Sequence, residues 1–207
     1  MRNKIYFYTV NPSYCDFLRQ FDKCVPYNFD KKDTRPFVGV LIKINDSLYY
    51  APLTSPKPKH LKMKNQLDFI KIKGGELGAI NLNNMIPIPQ SELKEISFSS
   101  YSDDKYKSLL QNQWEWCNLN QDYIKAQSSK LHRVITNGTK NISLKKRCCN
   151  FTLLEQKCLE YQQNQKNNEI ENSQLHDNLQ GQIGEKNSND YVMECFSEEF
   201  EGIDFDM

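Results

Sequence analysis

The sequence predicts an α+β protein in which the first half of the chain builds a sheet and the second half builds helices. Short β-branched and aromatic runs between turn residues occupy residues 5–88, and apolar residues at helical spacing follow from 103 to about 165. Charge supplies a third observation: residues 165–207 carry a net charge of −9, and the rest of the chain carries +10. We therefore expect one domain over 1–164 and an acidic flexible tail over 165–207.

The first half is predicted to be a meander of about six strands with one helix laid on it. The strand Ile5–Val10 is followed by Asn11 and Pro12, which are typical of a helix N-cap and a first helical position, and this helix should reach about Lys23. The nearly all-apolar run Phe37–Ile44 predicts a central strand buried on both faces. The remaining predicted elements are a polar loop from Tyr27 to Pro36, strands at Leu48–Ala51, Leu67–Ile72, Leu77–Leu82 and Met85–Ile88, a basic connector from His60 to Gln66 and a turn at Gly74-Gly75.

The second half is predicted to contain three helices. They span Asp103 to about Cys117, Gln121–Thr136, and a third that a capping-box pattern opens at Thr152 and that runs to about Gln165. Residues 165–190 are polar and predict a disordered linker. The last seventeen residues are acidic and aromatic, and they either lie on the basic body as a weak competitor of its nucleic-acid partner or only aid solubility.

The stretch Leu48–His60 joins a predicted buried strand to a polar loop that three prolines interrupt. The loop carries the hydroxyls of Thr54 and Ser55, the cations of Lys57 and Lys59, and the titratable ring of His60. Fixed cations beside a hydroxyl suit a phosphate oxyanion. A proline-rich connecting loop with solvated lysines would have the same composition, so both interpretations stay open.

Other classes of site find less support. Ser55 lacks the Gly-x-Ser-x-Gly elbow of a serine hydrolase, and no Gly-Lys-Ser/Thr follows Gly74-Gly75 as a phosphate loop would need. His132 lies on a predicted helix, where packing is commoner than catalysis. The seven cysteines include no Cys-x-x-Cys pair, so neither a zinc site nor a disulfide framework is expected.

The basic body points to a polyanionic partner, and Lys145, Lys146 and Arg147 are either a solvated run or phosphate contacts. No apolar run is long enough to span a bilayer and no signal peptide is recognisable, so we expect a cytoplasmic protein that does not engage membranes.

Several blocks of the sequence match one known family. They are Tyr6-Phe-Tyr-Thr-Val with Tyr14-Cys-Asp-Phe-Leu, Arg35-Pro-Phe-Val-Gly-Val, Tyr50-Ala-Pro-Leu-Thr-Ser-Pro-Lys, Leu77-Gly-Ala-Ile-Asn-Leu, Asn84-Met-Ile-Pro-Ile and Asn150-Phe-Thr-Leu-Leu-Glu. In this order, over roughly residues 5–160, the chain resembles the ToxN/AbiQ-type endoribonuclease toxins of type III toxin–antitoxin systems.

The resemblance implies a twisted, mostly antiparallel sheet forming an open barrel with surrounding helices. It implies a bacterial toxin that cleaves single-stranded RNA without a metal or other cofactor, leaving a 2′,3′-cyclic phosphate and a 5′-hydroxyl. Cellular or phage mRNA would be the substrate, and the biology would be growth arrest and abortive infection. The implied inhibitor is a small structured repeat RNA that the toxin itself processes and holds in a closed protein–RNA assembly.

The resemblance also implies the site. Thr54, Ser55 and Lys57 match the family's Thr-Ser-Pro-Lys loop, Arg35 matches a basic position, and His60 matches a histidine after the loop. These five residues are predicted to be catalytic. The predicted RNA-binding residues are Tyr27, Lys59, Lys62, Lys64, Lys145, Lys146 and Arg147.

Two other functions remain open at this point. One is an RNA-binding protein without turnover, which would not need Ser55 and Lys57 together on a proline-fixed turn. The other is an enzyme acting on a small phosphorylated molecule, which would call for a deep pocket and a glycine-rich phosphate loop.

Overall fold

A computed structural model describes residues 4–26, 36–39, 41–44, 46–138 and 140–170. The chain divides into two units, residues 1–160 and 161–207. The sheet, the site and the surfaces discussed below all belong to the first unit. The domain boundary predicted at 164 and the acidic tail over 165–207 stay predictions, because residues 171–207 lie outside the described part.

The sheet is built around one long strand, β4, which spans Ser47–Thr54 and is buried over most of its length. It follows β1 (Tyr6–Val10), β2 (Phe37–Gly39) and β3 (Lys43–Ile44) in the chain. The strands after it are β5 (Ile70–Lys71), β6 (Ala79–Ile80), β7 (Ile86–Pro87) and β8 (Leu93–Glu95). Strands β2, β3, β6 and β7 all pair with β4, so this strand holds the middle of the sheet.

All the described pairings are antiparallel, and the sheet order is β5-β6-β4-β2-β1-β8. The α+β class and the antiparallel sheet are therefore confirmed. The expected open barrel is wrong, because among the described strands β5 and β8 remain opposite edges and the sheet does not close. Two-residue edge strands such as β5 offer too few backbone groups to carry the ladder around to the other edge.

Helix α1 (Pro12–Arg19) lies against the sheet with Tyr14 and Leu18 buried. Its N-cap is Asn11, whose side chain accepts a hydrogen bond from the backbone N–H of Ser13, as the Asn-Pro pair predicts. The Tyr14 hydroxyl donates to the carbonyl of Pro87 in β7 at 2.8 Å. The remaining helices are α2 (Pro58–Lys62), α3 (Asp104–Leu119), α4 (Gln121–Thr136), α5 (Ile142–Arg147) and α6 (residues 151–170).

Several boundaries differ from the sequence prediction for local reasons. The single strand expected over Phe37–Ile44 is interrupted by a β-bulge. The Leu41 N–H donates to the carbonyl of Tyr49, and the Tyr49 N–H donates to the carbonyl of Ile42, so Leu41 and Ile42 both lie opposite Tyr49. Helix α6 begins after Asn150, whose side chain accepts from the Leu153 N–H, and it does not begin at Thr152. It continues through residue 170, where a disordered linker was predicted.

None of the helices in the described residues is long and apolar enough to cross a membrane.

Candidate active site

The loop that leaves β4 presents the three residues on which the site prediction depends. Thr54 ends the strand, and Ser55 and Lys57 follow it as exposed side chains before α2 begins at Pro58. The Thr54 hydroxyl donates to the carbonyl of Ser55 at 3.2 Å. Within the described part of the chain, the Ser55 hydroxyl and the Lys57 ammonium have no hydrogen-bond or ion-pair partner, so both are free to meet a ligand.

Two glycines form the wall against which this loop rests. Gly78 has φ +94°, and a β-carbon placed there would lie 2.0 Å from the carbonyl oxygen of Thr54. Gly75 has φ +104°, and a β-carbon there would lie 2.8 Å from the backbone of His60. Only a residue without a side chain permits this approach. We call these two glycines the glycine wall; they fix the position of the loop relative to β6.

His60 lies in α2, directly after the loop, and is 2% exposed. We call the segment from Thr54 at the end of β4 to this histidine the 54–60 loop. The His60 ring packs on Phe69 with the centroids 5.6 Å apart, and its Nδ1 makes no hydrogen bond to any described residue. Burial lowers the pKa of His60 below its ordinary value, and the positive charges of Lys59 and Lys57 lower it further. The ring is therefore neutral at physiological pH.

Four exposed lysines line the segment from the loop to the end of α2 and beyond, namely Lys57, Lys59, Lys62 and Lys64. The acidic residue that follows this lysine segment, Asp68, is buried and paired with Arg147, and Glu76, which lies between the two glycines, is paired with Lys73 at 3.3 Å. Cations therefore dominate the field around Ser55, which suits an anionic ligand.

Arg147 has a structural task in addition to its predicted contact with RNA. Its Nε donates to Asp68 at 2.6 Å, and a second guanidinium nitrogen reaches Gln66 at 3.0 Å. These contacts tie α5 to the segment that carries Phe69 against His60. Lys145 and Lys146, which are exposed like Arg147, border a separate cleft of about 500 Å³ that includes no residue of the 54–60 loop. The three basic residues thus do not form one uniform patch.

Arg35 and Tyr27, predicted as a catalytic and an RNA-binding residue, lie outside the described residues. Their roles, like those of the other predicted site residues, stay predictions.

His132 is packed in the core, as expected for a helical histidine without a catalytic role. Its Nε2 lies 2.7 Å from Glu155, which also accepts a hydrogen bond from the Tyr49 hydroxyl at 2.7 Å, and its ring stacks on Phe151. The six cysteines in the described residues are free thiols, and burial raises the pKa of Cys148 to about 12. That thiol is poorly suited to act as a nucleophile.

The arrangement can hold an anionic phosphate on a preorganised loop. Hydroxyls and an ammonium project from a proline-fixed turn, and a buried strand and two glycines hold that turn in place. The glycine wall was not predicted from the sequence; the only signal for it was a glycine directly before the β6 strand and a second one three residues earlier.

Comparison with known proteins gives a consistent match. The sequence profile of the family described as "Toxin ToxN, type III toxin-antitoxin system" matches residues 6–159. A Bacillus thuringiensis subsp. kurstaki protein named endoribonuclease ToxN is 35% identical over 163 residues, which cover 76% of this chain and 84% of that protein. The endoribonuclease AbiQ of Lactococcus lactis subsp. lactis is 30% identical over 171 residues, covering 78% of this chain and 91% of AbiQ.

Solved structures agree with these relatives. One, from work on selective toxin inhibition by a non-coding RNA pseudoknot, is 34% identical and superposes with a TM-score of 0.67 over 77% of this chain and 99% of that chain. The structure of AbiQ, described as a lactococcal anti-phage endoribonuclease, is 28% identical with a TM-score of 0.67 over 78% of this chain and 99% of that one.

Proposed function

This chain belongs to the ToxN family of type III toxin–antitoxin systems, and from this membership we propose that it is an endoribonuclease toxin that cleaves single-stranded RNA at the 54–60 loop. The observation that carries the proposal is the free Ser55 hydroxyl and Lys57 ammonium on a loop that the glycine wall fixes in place. Protein-fixed donors aimed at developing charge are the largest source of rate enhancement in such reactions.

The proposed reaction is an in-line attack of the internal 2′-hydroxyl on the adjacent phosphorus. The 5′-oxygen of the next nucleotide leaves, and the products are a 2′,3′-cyclic phosphate and a 5′-hydroxyl. The attacking hydroxyl loses a proton, and the leaving oxygen gains one. Lys57 would hold the nonbridging oxygens as their charge grows, and Ser55 and Thr54 would orient the phosphate or relay a proton. Arg35 is proposed as a second cation at the phosphate.

His60 is proposed to take part as a neutral ring. Because its pKa is lowered by burial and by the adjacent lysines, it enters the reaction able to accept a proton. Because the ring is buried, a proton would reach it through Ser55 or a water molecule. A direct contact with the RNA is not part of the proposal.

We propose that no metal is required. In the described part of the chain no three His, Cys, Asp or Glu side chains converge as a cation site would need. Lysine and arginine would supply the positive charge that a metal provides in other nucleases.

The proposed partner is a small structured RNA antitoxin, which one solved relative's description gives as a non-coding RNA pseudoknot. The toxin would process this RNA from repeats and remain bound in a closed protein–RNA assembly in the bacterial cytoplasm. Lys59, Lys62, Lys64, Lys145, Lys146, Arg147 and Tyr27 are proposed RNA contacts. When released, the toxin would cut cellular or phage mRNA, arrest growth and abort phage infection.

Induction in bacteria tests the proposal. Wild type is expected to arrest growth, and Ser55→Ala is expected to permit it because the loop loses a phosphate-orienting hydroxyl. Ser129→Ala is a matched control, since Ser129 is an exposed serine on α4. Equal toxicity of Ser55→Ala and wild type would remove Ser55 from the mechanism and favour an RNA-binding protein without turnover.

A further inference from the structure

A groove beside β1 combines aromatic rings with unpaired cations. It has a volume of about 560 Å³, and the lining residues that matter are Lys4, Tyr6, Tyr8, Lys43 and Lys125. We call it the tyrosine–lysine groove. It contains no residue of the 54–60 loop and none of the basic residues predicted from the sequence to contact RNA.

The tyrosines stand on one face of β1 because successive side chains of a strand alternate. Phe7, between them, points to the opposite face and is 2% exposed, whereas Tyr6 is 40% exposed. Tyr8 packs edge-on against Tyr50 of β4, with the ring centroids 5.5 Å apart and an interplanar angle of 88°. Burial raises the pKa of Tyr8, so this ring stays neutral. The groove therefore offers an accessible ring beside one that is held in a fixed orientation.

The cations come from three separate elements. Lys4 is held over the ring of Trp114, with its ammonium 5.3 Å from the ring centroid. The Lys125 ammonium on α4 lies 3.5 Å from the side-chain oxygen of Gln121, and Lys43 is exposed on β3. None of the three forms an ion pair with a carboxylate of the described residues. Glu95, which faces Tyr8 across the β1–β8 ladder, lies outside the lining.

The groove is linked to the active-site loop through a ring contact with the strand that carries the loop. Tyr8 of the groove packs on Tyr50 of β4, and Thr54 ends that strand four residues further along, a distance of about 13 Å from Tyr50 at the usual rise of a strand. A flexible polyanion seated in the groove could therefore extend to the loop without any movement of the protein.

We propose that the tyrosine–lysine groove binds a single-stranded segment of RNA, with a base stacked on Tyr6 and phosphates held by Lys43, Lys125 and Lys4. Stacking on aromatic rings beside a basic track is how proteins bind single strands regardless of sequence. An acidic peptide would use the lysines but would gain less from the ring, so the ring favours RNA. The inference rests on the proposed function and adds a second region of RNA contact to it.

The test measures binding without turnover. The probe is a short fluorescein-labelled oligoadenylate with 2′-O-methyl groups, which lacks the attacking hydroxyl, and anisotropy is recorded over a series of salt concentrations. The variants are Tyr6→Ala, Tyr6→Phe and the double substitution Lys43→Gln with Lys125→Gln. The matched control is Lys130→Gln, because Lys130 is an exposed lysine on the same helix as Lys125 but outside the groove.

We expect Tyr6→Ala to weaken binding by roughly five- to a hundredfold, and Tyr6→Phe, which keeps the ring, to bind like wild type. The double lysine variant should lower the slope of log affinity against log salt by about 1.4, since each phosphate contact to a single strand contributes about 0.7. Lys130→Gln should keep the wild-type slope. Melting temperatures of all variants establish that each is folded.

Groove variants that bind the probe within about twofold of wild type would overturn the inference while leaving the proposed function intact. If the groove binds oligoglutamate and Tyr6→Ala leaves the affinity for the RNA probe unchanged, the partner of the groove would be an acidic protein, and the inference would be overturned. A wild type that binds no RNA would overturn both the inference and the proposed function.

Discussion

Substituting Gly78 by alanine places a methyl group in the contact between β6 and the active-site loop. The added β-carbon would lie 2.0 Å from the Thr54 carbonyl oxygen, so the loop must withdraw by about 1 Å before the separation reaches 3.0 Å. A displacement of that size in a catalytic group costs about a hundredfold in rate. We therefore expect kcat for RNA cleavage to fall by about two orders of magnitude in Gly78→Ala.

Gly74→Ala is the matched control. Gly74 also has positive φ, at +69°, but an added β-carbon there meets nothing within 4 Å. Both substitutions carry the cost of a non-glycine residue at positive φ, about 1–3 kcal/mol, but only Gly78→Ala displaces the loop. Gly75→Ala, with a contact of 2.8 Å to His60, should fall between them.

The assay pairs cleavage rates with thermal melting. The expected pattern is a modest loss of melting temperature in both Gly74→Ala and Gly78→Ala, with near-wild-type cleavage in the former and a hundredfold loss in the latter. Cleavage by Gly78→Ala within about threefold of wild type would refute the reasoning. So would an equal loss in Gly74→Ala, because the effect would then come from backbone strain alone.

Two further predictions concern stability. The pKa of His60 is lower in the folded protein than the ordinary value of 6.5, so between these two pKa values the unfolded chain binds a proton that the folded protein does not. The free energy of unfolding should therefore rise with pH up to about 6.5, and His60→Gln should flatten this rise. Denaturant unfolding from about pH 5 to 7.5 measures the slope, and equal slopes in wild type and His60→Gln would contradict the prediction. Arg147→Ala leaves the buried Asp68 carboxylate without its partner and should lower the free energy of unfolding by about 1–3 kcal/mol, with a loss of about 2–4 °C in melting temperature for each kcal/mol. The control Lys145→Ala should melt like wild type. Coincident melting curves for the two variants would contradict this prediction.

Long periodic segments were predicted well because their signals are local. The helix over Gln121–Thr136 has the predicted bounds, and the Asn-Pro pair before α1 forms the predicted cap. Strand β8 and helices α2 and α5 were missed, since each is six residues or shorter and too short to show a period. Strands β5 and β6 are shorter than predicted because 3-10 turns over Ile72–Gly75 and Leu82–Asn84 end the extended backbone.

The prolines and the apolar strand before them predicted the position of the candidate site loop. In the structure this loop follows the end of β4. Two features of its surroundings could not be read from the sequence. The chain around His60 is rich in lysine and predicts an exposed connector, but the ring is buried because Phe69, nine residues later, packs on it. The glycine wall depends on the approach of segments about twenty residues apart, which no local pattern encodes.

The most direct test of the central claim is an analysis of products from a single-stranded RNA incubated with the purified protein in EDTA. The account predicts cleavage in the chelator, fragments ending in a 2′,3′-cyclic phosphate and a 5′-hydroxyl, and a loss of about 100- to 1,000-fold in rate for Ser55→Ala with Ser129→Ala at the wild-type rate. Cleavage that stops in EDTA and returns with magnesium, or an undiminished rate in Ser55→Ala, would contradict it.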